Sequence, residues 1–487
     1  MVTEWTPALL LVPILLPMLS GGVMLLLPRM DRADRELFTE IVACLTSTIV
    51  FLLIFNVSRA DMVTVYSFIS GFSMGFMADG PSMLFAGMVA VMWPLAILYA
   101  FAYMEHAPRQ TSFFAFYLMT YGVTLAVAFS ANLVTMYVCF EMLTLVTIPL
   151  VSHQQDQDST YAGYLYAAYC IAGASLALVA VVLGTLDGSG TFHFGGNLAS
   201  EYPPTLMRVV YLFGFFGFGT KAALFPLYIW LPKASVAPTP VTALLHAVAV
   251  VNSGVFAVTR LTWYAFGPNL LSGSTVQTVC ILLSSFSMVF AAVMALKERH
   301  FKRRLAYSTM SNLSYMLFGI SLMTGRGLTG AMGHMLFHGV IKMSLFLCAG
   351  AFMRVTGKEY LYEINGQGWR MPFTFTAYTL GALSLTGIPL FCGFISKWKL
   401  LTAGVALGTV PAMAGVAALI VSAFLCAMYT LSVSVRAFLP RTPAAPVREA
   451  DWRMSLPIGL FTAANVAFGL WSEPVMTFLE AVSRGAL

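Results

Sequence analysis

The sequence contains very little charge: Asp, Glu, Lys and Arg make up 9% of its 487 residues, whereas 59% are hydrophobic. A soluble domain has roughly a quarter of its residues charged, and the mean hydropathy of this chain is +0.83. Water is therefore not its main solvent. The composition excludes a soluble globular enzyme, a nucleic-acid-binding protein and a disordered scaffold, so the formal net charge of +6 needs an explanation other than nucleic-acid binding.

Cysteine is also scarce, with seven residues and no C-x-x-C pair. This pattern indicates neither a disulfide framework nor an iron–sulfur cluster. A glycine-rich phosphate-binding loop beside a strand is missing as well. We therefore expect no cofactor and no redox centre in this chain.

Long apolar stretches fill most of the sequence. A bilayer core about 30 Å thick requires ~20 apolar residues per helix. The pattern predicts an all-α polytopic membrane protein with about 14 transmembrane helices, and it predicts a short hairpin outside the bilayer at 63–80. The apolar windows are 8–27, 37–55, 82–103, 112–129, 133–151, 163–184, 206–230, 241–264, 276–296, 305–323, 331–353, 373–401, 413–438 and 456–478.

The basic residues are distributed unevenly between the two sides of the predicted membrane. With an even number of spans both termini lie on one side, and most Lys and Arg residues fall in loops on the other side. The positive-inside rule then predicts a multi-pass protein of the cell (cytoplasmic or inner) membrane, with both termini outside the cytoplasm. The positive charge is thus a topology signal, and no nucleic-acid partner is expected. The basic residues on the terminal side are Arg59, Arg208, Arg260, Arg326 and Arg484.

Several ionisable side chains lie inside the apolar windows. Such a group near the bilayer centre costs about 2.5–3.5 kcal/mol even on the lenient insertion scale. A chain that retains several of them needs a reason, and the usual reason is a pathway for ions. The candidates for a proton or ion pathway are Glu141, Lys221, His246, His334, His338, Lys342 and Lys397.

Glu141 lies midway in the fifth window and Lys221 midway in the seventh. If these helices touch, each side chain stabilises the charged form of the other. The pair is then either a structural ion pair that only fixes helix packing or a proton-loading site. A buried lysine suits the second role because its protonation responds readily to the approach or departure of a partner.

His334, His338 and Lys342 recur every four residues and therefore lie on one face of the eleventh helix. Three titratable groups on one stripe favour a proton or ion wire over isolated packing hydrogen bonds. Histidines four residues apart can also bind zinc, but no Glu lies between them and no third ligand is evident, so no metal site is expected. His246 falls between the Lys221 and Lys342 regions in chain order, and we expect it to pass protons between the two halves.

Two prolines accompany the lysines: Pro226 follows Lys221 by five residues, and Pro389, two residues after Gly387, precedes Lys397 by eight. Each proline removes a backbone hydrogen bond and breaks or kinks its helix. Unwound backbone is tolerated in a membrane only where protein or a water-filled cavity surrounds it. A matched pair of broken helices, the seventh and the twelfth, predicts inverted repeats around an ion path.

Spans 4–8 and 9–13 are the expected repeats, since five is an odd number and the second copy then enters the bilayer from the opposite side. In the second repeat Ser311 and Asn312 stand where a counterpart of Glu141 is expected, which leaves Lys397 without a carboxylate partner in this chain. The predicted domains are helices 1–3 (1–110), the first repeat (111–265), the second repeat (266–440) and a C-terminal helix (441–487).

Three segments resemble those of a known family. Residues 230–246, WLPKASVAPTPVTALLH, resemble the seventh-to-eighth-helix motif of the antiporter-like membrane subunits. Residues 302–311, KRRLAYSTMS, resemble that family's entry to the tenth helix, and residues 387–397, GIPLFCGFISK, resemble its broken twelfth helix. The family is shared by respiratory complex I, membrane-bound hydrogenases, formate hydrogenlyases and Mrp-type multisubunit Na⁺/H⁺ antiporters.

This resemblance covers nearly the whole chain. It implies the same number of transmembrane helices, inverted repeats, and a central line of polar residues and water through the membrane. The pathway residues that it implies are Glu141 of the fifth helix, Lys221 of the seventh, His246 of the eighth, His334, His338 and Lys342 of the eleventh and Lys397 of the twelfth.

Three further positions are secondary candidates. Asp79 resembles the acidic residue at the start of the family's third helix, whose role is mostly structural. Asn252 stands where several members have a lysine, so His246 is expected to be the main carrier in the eighth helix. Lys233 stands where many complex I members have Asp, which is closer to hydrogenase and Mrp subunits. We also expect the chain to lack the long lateral helix of the largest complex I subunit.

These patterns predict a proton-translocating, antiporter-like subunit of a multisubunit membrane redox complex, either hydrogenase-like or NADH dehydrogenase-like. The chain would be the ion-pumping subunit of an oxidoreductase without a redox centre of its own. The expected partners are further antiporter-like and small membrane subunits, the lipid bilayer and, in a redox complex, a peripheral redox arm. The main alternative is a subunit of an Mrp-type Na⁺/H⁺ antiporter without redox chemistry. A non-conducting scaffold and a stand-alone solute symporter are two further hypotheses.

Overall fold

The computed structural model describes residues 7–27, 30–56, 60–69, 72–185, 191–196, 202–439 and 448–486. These residues form mainly α-helices, together with one β-hairpin and a few short 3₁₀ and π segments. The α-helices are α1 Val12–Leu26, α2 Arg32–Asn56, α3 Gly80–Tyr103, α4 Gln110–Phe129, α5 Leu133–Val151, α6 Gln157–Thr185, α7 Pro204–Gly219, α8 Trp230–Ala234, α9 Thr239–Ala247, α10 Val250–Thr259, α11 Pro268–Leu271, α12 Thr275–Lys297, α13 Phe301–Ser321, α14 Gly325–Thr356, α15 Pro372–Thr386, α16 Cys392–Leu407, α17 Val410–Phe438, α18 Trp452–Leu470 and α19 Glu473–Ser483. The 3₁₀ segments are Pro7–Leu11, Leu361–Ile364 and Gln367–Trp369, and a π-helical segment covers Arg260–Phe266.

Ten helical stretches within the described residues are long and apolar enough to cross a membrane, and the α18–α19 pair, bent by 74°, would make an eleventh. The chain is therefore a membrane protein. The predicted windows outside these ten fall on interrupted or more polar helices, namely α7 with α8, α13, α15 with α16, and α18 with α19.

Two of the interruptions lie where the prolines predict them. Helix α7 ends at Gly219 and α8 begins at Trp230, and the intervening turns contain Pro226. Helix α15 ends at Thr386 and α16 begins at Cys392, with Pro389 between them. In that second break Gly387 and Leu390 have φ angles of 94° and 80°, a left-handed backbone that ends a helix.

A third interruption is not apparent from the sequence. Helix α9 ends at Ala247 and α10 begins at Val250, so the predicted eighth span is broken one residue after His246. The Asn252 side chain donates a hydrogen bond of 2.7 Å to the carbonyl of Ala247. An amide side chain thus satisfies a backbone oxygen that the break releases.

The hairpin consists of β1 Ala60–Ile69 and β2 Phe72–Ala78, paired antiparallel with Val63 opposite Phe76. It confirms the hairpin predicted at 63–80, and it corrects the all-α description to a mostly helical fold with one small sheet. Gly75 of β2 contacts the start of α5, where its N–H donates to Thr135 Oγ1 at 2.9 Å. The hairpin therefore covers one end of the helix bundle. Arg59, one of the basic residues used for topology, lies outside the described residues.

Helix α14 is the central element of the bundle. It has 32 residues, and 94% of its most apolar window is buried inside the protein. Helices α3, α9, α13, α15, α16, α18 and α19 all pack against it. By contrast, α2, α6 and α17 bury less than half of their apolar windows, as expected of helices that contact lipid. His334, His338 and Lys342 of α14 are completely buried, so they are surrounded by protein rather than by lipid.

Candidate functional site

Glu141 on α5 and Lys221 in the turn after α7 form the predicted pair. Lys221 Nζ lies 3.8 Å from Glu141 Oε1, and the side chains are 0% and 24% exposed, respectively. The lysine amine also donates to the carbonyl of Phe140 and lies 3.5 Å from the centre of the Phe140 ring. At 3.8 Å the two charges attract without a close hydrogen bond, so the carboxylate is not locked onto the amine.

Helix α10 connects this pair to His246. A Cβ atom at Gly254 would lie 2.6 Å from the backbone nitrogen of Ala222, so the α10 backbone closely approaches the break beside Lys221. Two residues earlier on the same helix, Asn252 holds the carbonyl of Ala247, the neighbour of His246. Helix α10 therefore contacts both the break beside Lys221 and the break that follows His246.

His246 is completely buried, and its Nε2 lies 3.4 Å from Ser235 Oγ. Among the described residues its Nδ1 has no hydrogen-bond partner. The imidazole stacks on the Phe346 ring with 4.9 Å between centroids, and Lys342 Nζ lies 5.9 Å from the centre of the same ring. Phe346 therefore has both the histidine and the lysine as neighbours.

The three titratable groups of α14 are all fully buried but have different surroundings. Lys342 Nζ donates to the Leu305 carbonyl at 2.9 Å. His334 is hydrogen-bonded through Nδ1 to Ser396 Oγ at 2.8 Å and through Nε2 to Asn312 Oδ1 at 3.1 Å. His338, whose ring centre is 6.0 Å from that of His334, has no hydrogen-bond partner at either ring nitrogen within the described part of the chain.

Lys397 on α16 lies at the second break. Its Nζ donates to the carbonyls of Leu385 and Thr386, at 2.6 and 3.2 Å, which are the last turn of α15. The same amine lies 5.0 Å from the centre of the Tyr315 ring, and that ring is 5.5 Å from His334. Tyr315 of α13 is therefore a neighbour of both the lysine and the histidine.

The second half of the site is built without a carboxylate. None of the ion pairs that the described residues form involves Lys342 or Lys397. Asn312 contacts His334, and Ser311 Oγ lies 2.8 Å from Ser422 Oγ. The amines are held instead by backbone carbonyls, whose dipoles stabilise a charged ammonium less than a carboxylate does.

The titratable residues described above form what we call the buried row, and two of the three secondary candidates, Asp79 and Lys233, lie apart from it. Asp79 caps the start of α3 and makes a two-pronged pair with Arg260, at 2.5 and 2.6 Å. Arg260 is completely buried at the start of the π-helical segment that continues α10, so it is a structural partner of Asp79 rather than a surface residue. Lys233 is exposed on α8, 6.0 Å from the centre of the Tyr161 ring, and it does not join the buried row.

Sequence reasoning missed two buried cations near the site. Lys302 Nζ donates to the Ala237 carbonyl at 2.9 Å, and Arg304 donates to the Tyr429 carbonyl at 3.0 Å. The hydropathy pattern places both in a loop because the apolar window begins only at residue 305. The helix itself begins at Phe301, so its first turn carries the basic residues inside the protein.

A mostly helical membrane fold with lysines at two helix breaks and a row of buried titratable groups defines a class of membrane subunit involved in ion transport. Residues 130–426 match the family described as NADH:quinone oxidoreductase/Mrp antiporter, TM. NADH-quinone oxidoreductase subunit N of Desulforudis audaxviator is 30% identical over 416 residues, which cover 80% of each chain. The chain belongs to this family of antiporter-like membrane subunits.

Other relatives have different sizes. Na⁺/H⁺ antiporter subunit A1 of Staphylococcus haemolyticus is 30% identical over 361 residues, which are 68% of this chain but 43% of the relative. The chain thus spans about half the length of the first curated relatives that it matches. Among solved structures, a chain of the Mrp complex from Dietzia sp. has a TM-score of 0.86 at 21% identity, covering 98% of this chain and 96% of that one. A chain of an archaeal membrane-bound sulfane sulfur reductase has a TM-score of 0.87 at 22% identity, covering 99% and 97%. At these identities the structures show a shared fold.

Proposed function

We propose that the chain is one proton-translocating module of a multisubunit membrane redox complex, hydrogenase-like or NADH dehydrogenase-like. The observation that carries this proposal is the buried row from Glu141 to Lys397, which combines titratable side chains with two helix breaks. The chain would work without a cofactor of its own. Further antiporter-like and small membrane subunits would surround it, with a peripheral arm carrying the redox chemistry.

The topology that we propose has about 14 spans, counting the interrupted helices α7 with α8, α15 with α16, and α18 with α19, and the more polar α13. Residues 111–265 and 266–440 would be the inverted repeats, between helices 1–3 (1–110) and a C-terminal helix (441–487). The lysine-bearing breaks, five predicted spans apart, support this arrangement. The basic loops favour a cell membrane with both termini outside the cytoplasm.

The proposed mechanism begins at Glu141. The Glu141 side chain is 24% exposed, and its carboxylate lies 3.8 Å from Lys221 Nζ without a close hydrogen bond. A charge that arrives in a neighbouring module can therefore draw the carboxylate away from the lysine. Without its partner, the buried ammonium is destabilised and releases its proton. His246 accepts the proton, which then passes to the α14 groups and on to Lys397.

Water would complete this pathway. His246 and Lys342 are both neighbours of Phe346, and the ring centres of His334 and His338 lie 6.0 Å apart. Within the described residues no direct hydrogen bond links His246 to Lys342 or His334 to His338, and bridging waters can connect such groups. His338, with two ring nitrogens that lack a protein partner within the described residues, is the natural place for such waters to bind.

The two histidines of α14 are expected to respond differently to replacement. His334→Phe removes the hydrogen bonds that the imidazole makes with Ser396 Oγ and Asn312 Oδ1, and it should lower the free energy of unfolding by about 1–3 kcal/mol. His338→Phe breaks no hydrogen bond to a described residue, so stability should hold while proton flux falls. Thermal unfolding in detergent and proton uptake by proteoliposomes measure the two effects. Equal losses of stability in the two variants would contradict the proposed difference.

The second candidate function is a subunit of an Mrp-type Na⁺/H⁺ antiporter. The observation that favours it is the similarity to a chain of an Mrp complex along 98% of this chain, together with the similarity to Na⁺/H⁺ antiporter subunits. In such an antiporter, an ion gradient rather than electron transfer would drive proton translocation.

Purification of the native complex through a tag on this chain separates the two functions. The co-purifying subunits are identified by mass spectrometry, and a pH-sensitive dye reports proton movement in proteoliposomes. Proton movement that depends on an electron donor supports the redox module, whereas movement driven by a sodium gradient alone supports the antiporter. A complex that moves no protons under either condition would overturn the proposal.

A further inference from the structure

We infer that the chain has a binding site for the phosphate headgroup of an anionic phospholipid, in a cavity between the ends of α1, α2 and α4. The cavity has a volume of about 560 Å³, and its lining includes Met24, Arg35, Arg109, Gln110 and Ser112. The buried titratable row does not use this cavity, and the inference does not depend on the proposed function.

The position of the cavity is that of a lipid headgroup. Helix α1 ends at Leu26 and α2 begins at Arg32, while α3 ends at Tyr103 and α4 begins at Gln110. Because consecutive spans alternate in direction, both junctions lie at the same face of the membrane. The loops on this face are the ones that carry the excess of basic residues, as at a surface that meets anionic lipid.

The first binding group is Arg35, which is only 8% exposed. Its guanidinium donates to the Gln110 side chain, while Nε has no hydrogen-bond partner among the described residues. The nearby carboxylates of Glu36 and Glu105 are engaged by Arg32, at 2.8 and 2.6 Å. A buried guanidinium without a counter-ion is unfavourable, and no described residue forms an ion pair with Arg35, so a bound anion would stabilise it.

The second binding group is the start of α4 together with Arg109. Arg109 precedes the helix with a left-handed φ of 54°, and no side chain caps the helix start. Its guanidinium donates to the His153 carbonyl at 3.1 Å and forms no ion pair with a described residue. Uncapped first-turn N–H groups bind phosphate oxygens, and guanidinium groups bind them through paired hydrogen bonds. This combination selects a phosphate group.

The apolar wall identifies the rest of the ligand. Met24 and Leu25 of α1 line the cavity, and the adjoining Leu26 and Leu27 are 81% and 54% exposed. An acyl chain can therefore run along α1 from a headgroup held by the arginines. A phospholipid satisfies both the cationic groups and this apolar surface, whereas free phosphate leaves the apolar surface in contact with water.

Native mass spectrometry of the full chain, purified in micelles containing phosphatidylglycerol and phosphatidylcholine, tests the inference. The wild type should retain phosphatidylglycerol in preference to phosphatidylcholine. Arg35→Gln with Arg109→Gln should lower this retention by about tenfold or more. Arg299→Gln, which removes an exposed arginine from the same predicted face outside the cavity, is the matched control and should change nothing.

Replacement of the buried Arg35 can prevent the double variant from folding. The single variant Arg109→Gln, which keeps Arg35, therefore provides a second test. Because Arg109 is exposed, the chain should fold, and retention should fall about fivefold. Equal retention of phosphatidylcholine, or unchanged retention in both Arg109 variants, would overturn the inference. Displacement of the lipid by excess inorganic phosphate would also overturn it, since the cavity would then be a site for the free anion.

Discussion

Lys221→Met is expected to reduce proton translocation by about a hundredfold or more, the range over which a positioned proton-transfer group contributes. Methionine keeps the apolar stem but removes the amine that lies 3.8 Å from Glu141, so no group remains to accept the proton at the first break. The measurement is dye-monitored proton uptake by proteoliposomes containing the purified complex.

Lys297→Met is the matched control, because Lys297 is exposed at the end of α12, away from the buried row. It should leave proton uptake unchanged. Assembly is followed separately by the subunit composition of the purified complex, which should be the same for both variants. If the Lys221→Met complex assembles and still takes up protons at the wild-type rate, then Glu141 and Lys221 are only a structural ion pair.

Asp79→Ala is expected to produce the largest loss of stability, about 3–5 kcal/mol, because it leaves a completely buried Arg260 without its counter-ion. Asp79 holds both ends of that guanidinium, and Ser82 Oγ accepts a further hydrogen bond from it at 2.8 Å. The change should appear as a lower midpoint of thermal unfolding in detergent and a lower yield of folded protein.

Two comparisons isolate the cause of this loss. Glu480→Ala removes the partner of Lys399 from an ion pair whose side chains are 40% and 37% exposed, and it should cost less than about 1 kcal/mol. Asp79→Ala combined with Arg260→Met leaves no unpaired charge and should recover much of the lost stability. A double variant as unstable as Asp79→Ala alone would show that packing, rather than charge, stabilises this part of the bundle.

The titratable residues of the candidate site could be predicted because an ionisable side chain stands out in an apolar window. Their neighbours could not be predicted in the same way. Tyr315, Ser396 and Phe346 come from three different helices, and nothing in their local sequence distinguishes them from ordinary helix residues. Their proximity to the lysines and histidines results from how α13, α14 and α16 pack, which hydropathy does not encode.

The interruptions in the helices could likewise be predicted only in part. Those near Pro226 and Pro389 were predictable, because proline cannot donate the hydrogen bond that continues a helix. The break at residues 248–249 contains neither proline nor glycine, and Asn252 compensates it from the following turn. Likewise Lys302 and Arg304 look like loop residues in a hydropathy profile, although the helix that carries them starts inside the protein.

The length of helix α14 affects how it fits into the membrane. Its 32 residues give a length of roughly 48 Å, well beyond the ~30 Å thickness of the hydrocarbon layer. Leaning away from the membrane normal is one way in which a helix of this length fits the bilayer. The stripe from His334 to Lys342 covers about 12 Å of that oblique axis, so each step along it also moves sideways. In the proposed mechanism, a proton that moves along this stripe therefore also travels sideways through the membrane.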